Sequence, residues 1–304
     1  MSRDVVARPE STPVGGPDRP PATRPGSRPP VAPAVALRTA LPADPIPTRP
    51  GGGRLATSAA TVWPSVAAFL AFVAVWKVAA VVAGFAFVLP APEDVGGRFV
   101  TAWLDGTIEP HAWTTFVEVL LGFGAGATTG LGVGYVIARS RLAERLLSPY
   151  LVAAQAVPIL ALAPLLALWF GPGLLAKVLI CGLIVFFPVA IATMVGIRSV
   201  DRGLLELGRS LRASHRQVLL TLEIPAALPA IMGGLRVGVT LAVVGAIVGE
   251  WAGADQGLGV LVNLARASLF DYPLMFATLV TIALLGIACY LAVVIVERRL
   301  VGVR

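Results

Sequence analysis

Long apolar stretches alternate with short polar segments along most of this chain. A hydrocarbon core of about 30 Å requires about 20 consecutive apolar residues in a helix that crosses it. The third and fourth stretches are joined only by Gly171-Pro172-Gly173, so we expect a tight turn and two antiparallel neighbours. The pattern predicts an all-α polytopic membrane protein with six transmembrane helices, over residues 62–84, 112–138, 149–170, 174–197, 227–250 and 273–296.

Residues 1–57 have a different composition, rich in Pro, Gly, Ser and Arg, with almost no apolar periodicity. Such a segment buries too little apolar surface to offset the entropy lost on ordering. It also lacks the apolar stretch of a secretory signal. We therefore expect a disordered cytosolic tail, whose arginines either help to set topology or contact anionic lipid headgroups, followed by a transmembrane domain over residues 58–304.

Composition supports a membrane location, because only 13% of the residues are charged and the mean hydropathy is +0.83. Soluble domains carry about 25% charged residues. With the N-terminus inside, the predicted inner segments hold 19 of the 24 lysines and arginines, whereas the outer loops hold only Arg98 and Arg266. Cytosolic loops are enriched in these residues, so both termini are predicted to be cytosolic. The net charge of +7 is then a topology signal, and nucleic-acid binding is not expected.

Four glycines recur every fourth residue in the second span: Gly122, Gly126, Gly130 and Gly134. That spacing places them on one helix face, where small residues let another helix approach closely. The ridge suits helix packing within one subunit, and it also suits a dimer or moving interface.

Prolines interrupt the third and fourth spans at Pro158, Pro164 and Pro188. Each removes a backbone hydrogen bond, and such breaks are tolerated where protein or a water-filled cavity satisfies the freed carbonyl. Together with Gln155 and Glu250, these prolines are candidate lining residues of a translocation path.

Charged residues within membrane spans are functional candidates. Glu118, Lys177, Arg236 and Glu250 all lie near span ends, so we expect their charged groups to snorkel at least partly toward the interface. No ladder of acids or histidines crosses the predicted membrane centre, which disfavours a proton-coupled secondary transporter.

The sequence contains no set of residues typical of an enzyme active site. HExxH, GxSxG and Walker A patterns are absent, so no ATP hydrolysis by this chain is expected. Cys181 and Cys289 lie in apolar stretches without metal-ligand spacing, and we interpret them as small buried hydrophobic residues. No catalytic residue, no metal site and no cofactor bound by this chain are predicted.

The segment from Asp201 to Arg236 is charged, and its first 24 residues contain no proline. Leu204, Leu207 and Leu211 recur at helical spacing and therefore share one face. Such an amphipathic helix either docks a cytosolic partner or lies on lipid headgroups, to which its arginines are also suited.

The spacing within this segment resembles the cytosolic loop motif of ABC importer permeases. That motif has Glu-Ala-Ala, three residues, Gly, nine residues and then Ile-x-Leu-Pro. Here Glu206-Leu207-Gly208 is followed three residues later by Arg212, and nine residues later by Leu222-Glu223-Ile224-Pro225. Only Glu206 and Pro225 match the motif identically.

Further features, in the same order along the chain, narrow the resemblance to the nitrate, sulfonate and taurine permease branch. They extend from about residue 60 to the end of the chain: Leu89-Pro90-Ala91-Pro92, Ala163-Pro164-Leu165-Leu166, Trp169-Phe170-Gly171, Phe187-Pro188, Pro225-Ala226-Ala227-Leu228-Pro229, Gly234-Leu235-Arg236, Gly257-Leu258-Gly259 and Glu297-Arg298-Arg299.

This resemblance implies the type I ABC importer permease fold in the plasma (inner) membrane. The chain would form half of a path for a small solute, such as a sulfonate, taurine, nitrate or a heterocyclic precursor. The implied partners are a second copy of itself, an extracytoplasmic binding protein and a cytosolic ATPase dimer that holds ATP and Mg. The loop over residues 201–226 would contact the ATPase through Leu204, Glu206, Leu207, Gly208, Leu211, Arg212, Ala213 and Pro225.

Two departures from the family pattern have consequences. The family has Gly at the position of Arg212, where it lets the chain turn, and Arg disfavours a positive φ angle. Either the loop stays helical through Arg212, or the groove of the ATPase differs. Glu118 replaces a residue that is basic in many relatives, which would alter a local salt bridge.

Two other classes of protein stay open at this point. A secondary transporter or channel would move its substrate without an ATPase, and a membrane scaffold would bind a partner without transport.

Overall fold

The computed structural model describes residues 57–82, 88–155 and 157–301. Of the predicted tail, residues 1–57, only Thr57 is among the described residues. The C-terminal Arg304 also lies outside them. The described part is helical throughout: α1 (Thr57–Val82), α2 (Pro92–Leu104), α3 (Glu109–Arg139), α4 (Arg141–Gln155), α5 (Ile159–Phe170), α6 (Leu174–Arg198), α7 (Arg202–Ser210), α8 (His215–Val218), a π-helical turn (Leu219–Glu223), α9 (Ile224–Trp251), α10 (Leu258–Ala267) and α11 (Tyr272–Val301).

Five helical stretches of the described residues are long and apolar enough to cross a membrane, namely α1 from Trp63, α3, α6, α11 and the run from α8 through α9. The third predicted span, residues 149–170, is divided into α4 and α5 at Pro158, one of its predicted proline interruptions. Pro158 itself has extended backbone angles. A proline also disfavours helical geometry in the residue before it and offers no N–H, so a helix tends to end there. By contrast, Pro164 and Pro188 lie inside continuous helices, α5 and α6.

The core of the bundle is formed by α3, α6 and α9, which pack along one another. The glycine ridge of α3 faces α6. A Cβ atom added at Gly126 would overlap the carbonyl oxygen of Gly182, and one added at Gly134 would overlap that of Ala190. The other two ridge glycines also lie against α6, namely Gly122 and Gly130. The ridge is therefore occupied by packing within the subunit.

We expect Gly126→Ala to destabilise the protein by about 2 kcal/mol, because the added methyl group forces α3 away from the α6 backbone. Gly124 is the matched control, since a Cβ atom there meets nothing within 4 Å. Gly124→Ala is expected to be neutral or slightly stabilising, through its better helix propensity. Thermal unfolding of the detergent-purified variants measures both effects, and equal midpoints for the two variants would contradict the close α3–α6 contact.

Two helices that the sequence analysis did not predict, α2 and α10, lie in the predicted outer loops and pack with α11 at one end of the bundle, which we call the α10 end. Their shared cluster of buried side chains includes Ala102, Ile108, Leu258, Leu261 and Leu274. The start of α2 carried a recognisable signal, because a proline followed by two acids is typical of a helix N-terminus.

Helix α1 lies against α11 and is otherwise exposed. The rings of Trp76 and Phe276 are 5.9 Å apart, and the indole N–H of Trp76 donates to the carbonyl of Pro90 at 3.1 Å. Lys77, which lies inside the first predicted span, pairs with Glu93 at 3.1 Å on the exposed surface. An apolar surface of this extent is typical of a helix that faces lipid or another protein.

Candidate functional site: the coupling segment and the buried charge network

The coupling segment, residues 201–223, leaves the bundle at the end opposite α10, which we call the α7 end. Asp201 precedes α7 and its carboxylate accepts the backbone N–H of Gly203 at 2.6 Å, which satisfies an N-terminal donor of the helix. Leu204, Leu207 and Leu211 are all exposed, Leu211 by 74%. The apolar face of α7 is therefore not covered by the described part of this chain.

Helix α7 ends at Ser210, and the chain turns at Arg212, whose φ angle is +53°. The N–H of Ala213 donates to the carbonyl of Gly208 at 3.0 Å, which completes a Schellman motif with Arg212 in the left-handed position. The alternative in which the loop stays helical through Arg212 is therefore wrong. Arg212 adopts the turn for which the family uses glycine, at the cost of an unfavourable backbone conformation.

We expect Arg212→Gly to stabilise this turn by about 1 kcal/mol, because glycine adopts a positive φ angle without a steric penalty. Hydrogen exchange of the peptide that contains Ala213 should then slow by about fivefold. Arg216→Gly is the matched control, because Arg216 lies in the helix α8 and glycine there should speed exchange. Faster exchange in Arg212→Gly would contradict the strained turn.

After the turn, Ser214 starts α8 with a capping box. Its hydroxyl accepts the N–H of Gln217, and the side chain of Gln217 accepts the N–H of Ser214. Gly208 is buried against this second half of the segment, where an added Cβ atom would lie 3.3 Å from Leu222 and 3.5 Å from Val218. Helix α7 is thus packed onto α8 and the π-helical turn.

The eight predicted ATPase-coupling residues fall into two groups. Gly208, Ala213 and Pro225 are buried or half-buried, and they shape the turn and the start of α9. The side chains that a partner could reach are exposed: Leu204, Glu206, Leu207, Leu211 and Arg212.

The predicted path residues lie on different helices. Pro158 is exposed between α4 and α5, Pro164 is exposed on α5, and Pro188 is half-buried in α6. Gln155 ends α4, and its side chain lies outside the described residues. Glu250 is buried near the end of α9.

Glu118, Lys177 and Glu250 are buried together on α3, α6 and α9, so the prediction that they snorkel to the interface is wrong. The ammonium group of Lys177 donates to Glu118 at 2.6 Å. Glu250 accepts from the hydroxyl of Thr115 at 2.5 Å and from the backbone N–H of Gly259. Burial of charge is costly unless partners compensate it, and here the partners come from other helices. The partner of Glu118 that the sequence analysis left unassigned is Lys177.

This network holds the start of α10. The N–H of Leu258 donates to the Thr115 hydroxyl at 2.8 Å, and Nδ1 of His111 lies 3.0 Å from the backbone N of Gly257 and 2.9 Å from its carbonyl oxygen. An added Cβ atom at Gly257 would overlap the Glu250 carboxylate, and one at Gly259 would lie 2.8 Å from it. The Gly-Leu-Gly sequence is therefore required by the close approach of this buried carboxylate.

Ion pairs also join helices at the α7 end. Arg139 of α3 pairs with the buried Glu223 at 2.6 Å. Arg198 of α6 donates to Glu144 of α4 at 2.7 Å and to the carbonyl of Ile137 at 3.0 Å. The hydrogen bond from Arg198 holds the pKa of Glu144 below its usual range. In the sequence, these arginines indicate only the topology.

Arg236 differs from the three buried charges in that it stays partly exposed, and it pairs with Glu297 at 3.2 Å. The described residues include no group of three or more His, Cys, Asp or Glu side chains that could hold a metal ion.

Residues 126–302 match the family described as binding-protein-dependent transport system inner membrane component. The chain belongs to this family. It is 41% identical to the riboflavin transport system permease protein RibX of Chloroflexus aurantiacus, over 74% of this chain and 84% of that protein. It is 34% identical to the formylaminopyrimidine transport permease protein ThiX of Halalkalibacterium halodurans, over 76% and 92%. It is 33% identical to the putative aliphatic sulfonates transport permease protein SsuC of Bacillus subtilis, over 85% and 92%.

Solved structures share the fold. An inward-facing structure of the MetNI methionine ABC transporter superposes with a TM-score of 0.56 at 20% identity, and the match covers 62% of this permease and 94% of that chain. The predicted membership of the sulfonate, taurine and nitrate type of ABC importer permeases is confirmed, as is the all-helical multi-pass architecture.

Proposed function

We propose that this permease forms half of the translocation path of an ATP-driven importer and that a second copy supplies the other half. The observation that carries this proposal is the exposed apolar face of α7, next to a turn at the position where the family motif has glycine. A leucine-rich face that its own chain leaves uncovered fits a groove on a partner protein.

The partner proposed for this face is a cytosolic ATPase dimer that binds ATP and Mg, so that this permease needs no cofactor of its own. Leu204, Leu207 and Leu211 would enter the groove, and the exposed carboxylate of Glu206 would accept hydrogen bonds or pair with a basic residue there. The capped and turned α8 segment would hold α7 at a defined angle.

We propose six membrane crossings, with α4 and α5 together forming the third. Twelve helical residues span about 18 Å, so α5 alone is too short for a crossing of about 30 Å. The arginines at the α7 end support, by the positive-inside rule, a cytosolic location of that end and of both termini. The α10 end then faces outward, toward a substrate-binding protein.

The proposed path uses the proline-containing helices. Pro164 and Pro188 lack the N–H that a helix normally donates to the carbonyl four residues earlier, and carbonyls freed in this way suit a polar cavity. Pro158 lies at the α4–α5 break. Gln155 precedes the break. Glu250, by contrast, has both carboxylate oxygens occupied within the chain, so the path proposal rests on the other four residues.

The names of the relatives support a proposal for the class of substrate. Their names refer to riboflavin, formylaminopyrimidine, aliphatic sulfonates and taurine. We propose a small solute that is either a heterocyclic compound or a sulfonate-like or nitrate-like anion, delivered and selected by the binding protein. A ligand screen of the cognate binding protein would identify it.

Reconstitution tests the proposed function. Proteoliposomes with the permease, its cognate ATPase and its binding protein should take up the ligand of that binding protein only when ATP is present. The permease alone should neither hydrolyse ATP nor move the ligand. Uptake by the permease alone would overturn the proposal and favour a secondary transporter or a channel.

A further inference from the structure

Glu223 connects the coupling segment to a membrane-spanning helix. It is the last residue of the π-helical turn, and its side chain is 2% exposed. Its Oε1 accepts from Nη1 of Arg139, the last residue of α3, at 2.6 Å. Among the ion pairs of the described residues, this one joins residues 201–223 to a spanning helix.

The π-helical turn sets the direction of Glu223. The N–H of Ile224 donates to the carbonyl of Leu219, five residues back rather than four. One extra residue in a turn rotates the subsequent side chains by about 100° relative to a regular helix. Such turns cost stability and are found frequently at functional sites. Here the turn accompanies the burial of a carboxylate within a leucine-rich turn whose other side chains are half-buried or exposed.

A continuous set of contacts leads from α7 to this carboxylate. Gly208 of α7 is buried against Val218 and Leu222, and Leu222 is the neighbour of Glu223. Arg139 then leads to α3, whose glycine ridge packs on the backbone of α6. These contacts, together with the backbone between Leu222 and Glu223, form a physical route from α7 to the helix core.

Arg139 is the residue that compensates the buried negative charge of Glu223. The second oxygen of Glu223, Oε2, is buried and has no hydrogen-bond partner among the described residues. Loss of the guanidinium would leave an uncompensated buried carboxylate, which is strongly unfavourable. The two residues are therefore expected to move together rather than to separate.

We propose that the Arg139–Glu223 ion pair is a positioning element that couples movement of the ATPase-docking helix α7 to movement of α3 and the helices packed on it. This inference rests on the proposed function, because it requires an ATPase that moves α7. It goes beyond that function because it assigns the coupling to Arg139 and Glu223, two residues outside the exposed face of α7 that is proposed to bind the ATPase.

Arg198–Glu144 provides a matched control. It lies at the same end of the bundle with a similar distance, 2.7 Å, but it is more exposed and joins α6 to α4 rather than to the coupling segment. A purely structural role of either pair would change the amount of folded permease rather than the solute taken up per ATP hydrolysed. A coupling role predicts that only one of them matters.

The test compares Glu223→Gln with Glu144→Gln in proteoliposomes that contain the ATPase and the binding protein. The measured quantity is solute taken up per ATP hydrolysed. Glu223→Gln should lower this ratio by about tenfold, within the range typical of coupling between two sites. Glu144→Gln should keep it within about twofold. Size-exclusion chromatography and ATPase co-purification establish that each variant is folded and assembled.

A second pair of variants separates charge from packing. Arg139→Lys keeps the cation and should retain most of the uptake per ATP, whereas Arg139→Gln should lose it as Glu223→Gln does. If Glu223→Gln fails to insert in the membrane, this comparison decides alone. Equal ratios for Arg139→Lys and Arg139→Gln would overturn the inference.

Different outcomes test the proposed function and the coupling role of the Arg139–Glu223 ion pair. If the wild-type assembly shows no ATP-dependent uptake, the proposed function is wrong. If the wild-type assembly is coupled and Glu223→Gln keeps the wild-type ratio, the proposed function stands and the coupling role of the ion pair is overturned.

Discussion

Glu206→Lys is expected to abolish ATP-dependent uptake while the permease still inserts in the membrane. Glu206 is exposed on α7, and the described residues place no ion pair on its carboxylate, so charge reversal should leave the fold of this chain intact. At a docking surface, by contrast, reversal juxtaposes like charges or removes a charge-assisted hydrogen bond. We expect transport to fall by about a hundredfold, since such mismatches cost several kcal/mol.

Uptake by whole cells or proteoliposomes measures this effect, and co-purification of the ATPase shows whether docking is lost. Glu206→Gln keeps the shape of the side chain without reversing its charge, so it should retain more transport than Glu206→Lys. Membrane fractionation serves as the insertion control. Wild-type uptake in Glu206→Lys would rule out a role of this carboxylate in docking.

Lys177→Met is expected to destabilise the permease by about 3–5 kcal/mol, because it leaves buried acids of the charge network without their cation. Lys177 donates to Glu118 at 2.6 Å, and both side chains are almost fully buried. The hydrocarbon chain of methionine preserves most of the packing, so the loss reports the missing charge. Denaturant or thermal unfolding in detergent measures the change.

Lys77→Met is the matched control for this prediction. Lys77 also lies inside a predicted span, but its pair with Glu93 is exposed, and exposed pairs contribute about 0–1 kcal/mol. The double variant Glu118→Leu/Lys177→Met should recover much of the lost stability, since replacing both members of a buried pair by apolar residues is often neutral. Equal unfolding midpoints for Lys177→Met and Lys77→Met would contradict the buried network.

In the coupling segment, the sequence predicted the position of the turn but not the backbone conformation of Arg212. The motif spacing predicts a turn at Arg212, but an arginine disfavours a positive φ angle, so the sequence is compatible with two alternatives. The hydrogen bond from Ala213 to Gly208 and the packing of Gly208 on Leu222 hold Arg212 at a positive φ angle. Tertiary contacts of this kind override the local preference of one residue.

The contacts within the buried charge network could not be predicted from the sequence. Glu118, Lys177 and Glu250 were each recognisable as unusual residues within apolar spans, but their partners come from three different helices. Nothing in the sequence between them indicates that their side chains meet. Snorkelling was predicted because each residue was considered by itself, next to a span end.

The sequence by itself determined the class of membrane protein, the family and most of the long helices. Hydropathy, basic-residue distribution and motif spacing are local properties that add along the chain, so one sequence suffices to detect them. Only the tertiary structure decided that Pro158 separates two helices whereas Pro164 and Pro188 do not, that α2 and α10 fill the predicted outer loops, and that Glu223 joins Arg139. These outcomes depend on which side chains are brought together across helices, because the free energy of a buried charge or a strained turn is set by its neighbours in space.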